Sequence, residues 1–351
     1  MSKVKEFMQR KNIVISARRY GIDAMGAMAQ GLFASLLIGT ILNTLGTRTG
    51  LEFLTNAGQY ASAMSGPAMA VAIGYALQAP PLVLFSLAAV GQAANALGGA
   101  GGPLAVLFVA IFAAEAGKAV SKETRVDILV TPIVTILLGV GASALLAPAL
   151  GSLASGVGRI IMWATELQPF LMGIVVSVVV GIALTLPISS AAICAALGLT
   201  GLAGGAAVAG CCAQMIGFAF LSYKENGWGG LLSQGIGTSM LQMGNIVKNP
   251  KIWIPPILTS AVTGPLATCL FRLKQNGAPV ASGMGTCGLV GQIGVYTGWM
   301  ADIDSGVKTA VTATDWVGLL LICFVIPAVL TPLIGAVLRK AGWIREGDLK
   351  L

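Results

Sequence analysis

Between Asn276 and Tyr296, the residues Asn276, Ser282, Thr286, Gln292 and Tyr296 are interleaved with six glycines. Amides and hydroxyls donate and accept hydrogen bonds without carrying charge. Glycine removes the side chain that would hold a neighbour or a ligand off the backbone. Such a segment suits a polar, uncharged ligand such as a sugar, and equally suits tight helix packing. A second segment, Thr185-Leu-Pro-Ile-Ser-Ser190, places Ser189, Ser190 and Thr185 beside Pro187. The proline frees a backbone carbonyl, and the hydroxyls serve either a ligand or the kink itself. In a third, residues 227–249, Gln234, Thr238 and Gln242 recur four apart, on one face of a helix, with Ser239 and Asn245 close by. Its polarity fits a helical hairpin dipping into the protein, or a surface amphipathic helix. The fourth, Asn95 to Pro103, holds four glycines and a proline. It reads as a re-entrant turn lining a pathway or as an interfacial loop.

Ionisable groups in the apolar stretches are few. Glu115 and Lys118 stand three residues apart, a spacing that allows a local ion pair. An acid at membrane depth is also a candidate proton or substrate group. Asp302 and Asp304 are expected in an external loop. The chain has no histidine, which removes the usual general base and the usual metal ligand. Neither a metal site nor a cofactor is expected, and the glycine-rich runs lack the G-K-[ST] ending of a phosphate-cradling loop. Cys194, Cys211, Cys212, Cys269, Cys287 and Cys323 form no C-x-x-C pair and read as free buried thiols.

These residues must be positioned by membrane helices. Of 351 residues, 56% are hydrophobic and only 10% charged, where soluble domains carry about 25% charged residues. The mean hydropathy of +0.86 requires lipid as solvent. This excludes disorder, nucleic-acid binding and most soluble enzymes. The expected fold is an all-α integral membrane protein with about ten spans of roughly 20 residues each. They fall near 24–46, 57–79, 81–98, 103–120, 128–150, 169–188, 192–221, 252–271, 279–299 and 315–338, with some glycine-rich ones re-entrant. Lys3, Lys5, Arg10, Lys11, Arg18 and Arg19 at one end, and Arg339, Lys340, Arg345 and Lys350 at the other, place both termini in the cytoplasm. The chain divides into a basic interfacial segment 1–23, a first helical part 24–150, an amphipathic linker helix 151–166, a second helical part 167–338 and a cytoplasmic tail 339–351.

The stretch MGNIVKNPKIWIPPILTSAVTGPLATCLFRLKQNGAPVASGMGTCGLVGQIGVY, together with YGIDAMGAMAQGLFASLLIGTIL and KETRVDILVTPIVTI, resembles a membrane-protein family related to the IIC subunits of the sugar phosphotransferase system. That family includes perfringolysin O regulator-type proteins. The resemblance covers most of the chain. It implies a homodimeric permease of about ten helices with re-entrant hairpins, in a bacterial plasma membrane, which holds a sugar while separate IIA- and IIB-type subunits supply the phosphoryl group. The glucose-type G-I-T-E-P motif is absent, and no such subunit is fused within these residues. The chain is thus expected to be a transporter for a small polar, sugar-like solute, without enzymatic activity of its own. Asn276, Ser282, Thr286, Gln292, Gln242, Asn245, Ser189, Ser190 and Asn95 are its candidate ligands, and membrane lipid its surroundings. A sensor or regulator with the same pocket, signalling through its basic N-terminal segment, is the other reading. Coupling to phosphorylation, to an ion or to nothing stays open.

Overall fold

The structure, a computed structural model, describes residues 3–351. Among these the chain is predominantly helical, and its only β pairing is an isolated antiparallel bridge between Gly201 and Gln275. Six stretches are long and apolar enough to cross a membrane: Arg19–Thr49, Pro81–Val120, Asp127–Thr165, Gly201–Leu221, Pro250–Leu270 and Ala313–Lys340. The chain forms two compact units, Met1–Leu153 and Ala154–Leu351.

In the first unit, helix α1 (Lys3–Arg10) precedes the long helix α2 (Arg19–Thr49). Helices α3 (Glu52–Ala63) and α4 (Ser65–Ala76) follow one another across a kink at Met64. Helix α5 (Pro81–Gly98) then folds back on α6 (Gly102–Val120). The reversal needs Gly99, whose φ of 51° and ψ of −121° suit glycine alone. Each arm holds 18 or 19 residues, about 27 Å of helix, close to the thickness of a bilayer core.

Helix α7 (Asp127–Thr165) is continuous through both the expected span 128–150 and the expected linker 151–166. Pro148 does not interrupt it. A proline in an apolar setting forfeits one backbone bond, here the one to the Ala144 carbonyl, and the helix continues through the loss. The linker is therefore the last part of a long helix rather than a separate element.

The second unit is built around α10 (Gly201–Leu221), in which 94% of the apolar window is buried. Its neighbours are α8 (Pro169–Thr185), α13 (Pro250–Leu270) and α15 (Ala313–Lys340). Small residues let these backbones touch. A Cβ on Gly210 would lie 1.9 Å from the Ser177 carbonyl oxygen of α8. A core of Val208, Ala209, Ala267, Leu273, Val295, Trp299 and Ile322 closes one side of α10. The short helix α9 (Ser190–Ala196), α11 (Tyr223–Leu232), α12 (Met243–Lys248) and α14 (Val290–Asp304) complete the unit.

Besides 57–79, which the kink at Met64 divides between α3 and α4, two expected spans of the second unit are discontinuous. The stretch 192–221 is split between α9 and α10 by Gly198 and Gly201, both at positive φ. The stretch 279–299 begins as two 3-10 turns, Pro279–Gly283 and Cys287–Leu289, before α14 starts at Val290. Asp302 and Asp304 lie in the last turn of α14 rather than in a loop.

Candidate functional site

Helix α10 is 21 residues long, so Cys211 stands about 15 Å from either end. Around this middle, two broken elements meet. Helix α8 ends at Thr185 because Pro187 cannot continue it, and α9 restarts after Ser189, whose side chain caps it by accepting from Ala192 N at 3.2 Å. The restarted helix touches the glycine-rich segment. Ser190 Oγ donates to the Gly283 carbonyl at 2.7 Å, and Ser282 Oγ donates to the Leu199 carbonyl at 2.6 Å. A Cβ on Gly283 would lie 2.5 Å from the Ser190 carbonyl oxygen, so glycine is what permits the crossing.

Polar groups converge on α10 from both sides of this crossing. Gln214 Oε1 accepts from Trp253 Nε1 at 2.9 Å and from Thr185 Oγ1 at 3.3 Å, and Gln214 Nε2 donates to Ser260 Oγ at 3.4 Å. Thr185 Oγ1 also lies 2.7 Å from Ser239 Oγ. On the facing side, Thr286 Oγ1 donates to Met215 Sδ at 3.5 Å and Gln292 Nε2 to Cys212 Sγ at 3.2 Å. The Gln292 Oε1 atom is buried and accepts nothing from the described residues, and the same is true of Gln275 Oε1. A buried amide oxygen left so costs about 1–3 kcal/mol relative to a satisfied one. Every side chain named here is neutral, so the cluster offers hydrogen bonds without an electrostatic preference for an ion.

The structure brings Ser189, Ser190, Ser282, Thr286 and Gln292 to this region and ties the remaining candidates elsewhere. Gln242 Nε2 donates to Gln234 Oε1 and to the Leu349 carbonyl, each at 2.9 Å. Asn245 Nδ2 donates to Gln242 Oε1 and to the Lys350 carbonyl, each at 2.9 Å. Asn276 Nδ2 faces both carboxylate oxygens of Asp302, at 3.0 and 2.9 Å. Asn95 belongs to the first unit, at the end of α5, with Nδ2 3.5 Å from Ser65 Oγ.

Glu115 and Lys118 form an ion pair of 2.8 Å in the first unit. The Lys118 ammonium also donates to the carbonyls of Asn12 at 2.7 Å and Leu77 at 3.1 Å, and Tyr20 Oη donates to Glu115 Oε1 at 3.1 Å. The pair therefore fastens the segment after α1 to the ends of α4 and α6.

Gln214, Trp253 and Ser260 were not among the residues expected at the site. Gln214 had a legible signal: it is the sole amide in the apolar run 201–221. Trp253 and Ser260 had none, since a tryptophan and a serine in an apolar helix read as packing.

A family model described as Phosphotransferase system, EIIC matches residues 22–351. No curated protein and no solved structure matches the chain.

Proposed function

The chain belongs to the phosphotransferase-system EIIC family, a multi-pass membrane component of a transport system, and from that premise we propose that it is a permease for a small neutral solute, a sugar or sugar-like molecule. The observation that carries this reading is the meeting of two broken elements, one of them glycine-rich, at the middle of α10, among neutral donors and acceptors. Discontinuous helices at mid-membrane are the usual means of presenting backbone and side-chain polar groups to a transported solute. Thr286, Gln292, Ser189, Ser190 and Ser282 are the proposed ligands, with Gln292 Oε1 the acceptor for a solute hydroxyl. Gln214, held by Trp253 and Ser260, is a positioning residue that fixes Thr185 and Ser239 beside them. Carriage proceeds by alternating access, with both termini cytoplasmic and the protein a homodimer in a bacterial plasma membrane. Its family implies work alongside other phosphotransferase-system subunits, and any phosphoryl transfer is assigned to IIA- and IIB-type partners.

Thermal unfolding of the detergent-solubilised protein against a panel of sugars, sugar phosphates and polyols tests the proposal. A solute at 100 times its dissociation constant stabilises a folded-state site by about 2.7 kcal/mol. One free sugar should shift the transition, and Gln292→Ala should weaken that sugar at least about tenfold, the loss of one buried hydrogen bond. Unchanged affinity and uptake in Gln292→Ala would remove this site. A response confined to compounds other than sugars would keep the pocket and overturn the solute class.

A further inference from the structure

Residues 341–351 leave α15 through Gly342 and lie along the segment 222–249. The contact is read largely through backbone. The Leu349 carbonyl accepts from Asn226 Nδ2 at 2.8 Å as well as from Gln242. Leu349 N donates to Glu225 Oε2 at 2.8 Å, and Leu351 N to Asn226 Oδ1 at 2.9 Å. Farther along, Asn249 Nδ2 donates to the Trp343 carbonyl at 2.9 Å and to Asp348 Oδ2 at 2.8 Å. The Leu349 side chain is 0% exposed and Ile344 only 2%. Behind the contact the groove is prearranged: Gln234 Nε2 donates to Ser222 Oγ at 2.8 Å and presents its Oε1 to Gln242, while Arg339 holds the Glu225 carboxylate at 2.8 Å.

Side-chain donors and acceptors that satisfy a segment's main chain around a buried apolar side chain make a peptide-recognition groove, here for a segment folded in turns. We propose that the groove formed by residues 222–249 is a reversible peptide-binding site, and that its resident ligand is this chain's own segment 341–351, anchored by Leu349. Three features distinguish a latch from a permanent part of the fold. Between its two anchors, Ile344 and Leu349, the segment is exposed at Arg345, Glu346 and Gly347. Glycines at positive φ, Gly342 and Gly347, punctuate it. A cavity of about 370 Å³ lined by Lys224, Glu225, Arg339 and Glu346 adjoins it. Few apolar anchors and polar ties near the surface mark an element that opens locally without unfolding its unit. Release would free the amide donors of Gln242 and Asn245. That they then become available to solute rests on the transport reading above; the groove itself does not.

The test uses the full-length protein with Leu349→Asp, which places a charge in the anchor pocket and expels the segment. A fluorescein-labelled peptide of residues 341–351 is added in detergent, and anisotropy is followed. Saturable binding is expected, at least about tenfold tighter than to the wild-type chain, whose groove is occupied. Adding Asn226→Ala and Gln242→Ala to that variant should abolish it. Absence of saturable binding to a folded Leu349→Asp protein, or binding indifferent to the groove substitutions, overturns the proposal. Hydrogen exchange on the wild-type chain supplies a second readout that needs no variant. The amides of Leu349 and Leu351 should exchange through local opening, faster than those of α10; exchange only with the whole unit would make the segment a fixed strap. Solute response is read separately. Peptide binding without any solute response would overturn the transport site and leave the groove standing.

Discussion

Gln214 shows how much one buried amide can organise. Its two ends join residues from α8 and α13 around the middle of α10, and it is 0% exposed. Gln214→Leu removes the acceptor of the half-buried Trp253 Nε1 and leaves that donor unmatched, while Thr185 keeps Ser239 and Ser260 keeps the Pro256 carbonyl. Thermal unfolding should show a loss of about 1–3 kcal/mol, while Trp253→Phe, which deletes only one donor, should lose less. At the edge of the first unit, the Lys11 ammonium hydrogen-bonded to Glu123, with Arg10 nearby at 2.9 Å, holds that carboxyl below its usual range. A carboxylate whose folded-state pKa is depressed stabilises the structure above its ordinary pKa and loses that contribution as pH falls through the lowered value. Proteolysis in the segment after α1 should therefore increase in acid, and Glu123→Gln should show the loosened pattern at neutral pH. Equal cleavage of the two proteins at every pH would show that the contact does not hold α1.

At the scale of elements, the second unit depends on helices approaching to backbone contact. Gly210→Ala would drive a methyl group into the Ser177 carbonyl, 1.9 Å from the Cβ position. Separation of α8 from α10 should cost about 1–3 kcal/mol, as overpacking of interiors does, and should lower thermal stability. Gly229 on α11 meets nothing within 4 Å, so Gly229→Ala should stay within about 1 kcal/mol of the parent. If both substitutions behaved alike, close packing at Gly210 would not be what holds the pair together. The break after Thr185 was legible, because Pro187 removes a helix hydrogen bond and hydroxyls stand on both sides of it, although Pro148 shows that a proline alone does not end a membrane helix. The break between α9 and α10 was not, because glycine is common inside membrane helices and only positive φ at Gly198 and Gly201 reveals the turn.

For the whole molecule, both ends are predicted to face the cytoplasm. Lys5→Cys and Lys350→Cys, each in a chain with Cys269→Ser to remove the exposed native thiol, should react with a membrane-impermeant maleimide only from that side; labelling of either from outside would reverse the topology. Composition alone determined that this is a helical membrane protein. A mean hydropathy of +0.86 leaves lipid as the only solvent in which such a chain can satisfy its backbone, and helices satisfy it locally. The neutral character of the polar segments was equally open to reading, since residue type sets charge. Which of those residues meet was a matter of tertiary structure. Gln242 and Asn245 have the chemistry of solute ligands, yet their amides serve the carbonyls of residues more than 100 positions away. Gln214, passed over as one polar residue in an apolar run, joins three elements. A hydrogen bond requires two groups within about 3 Å, and for partners this distant in the chain that proximity is set by packing, which no local pattern encodes.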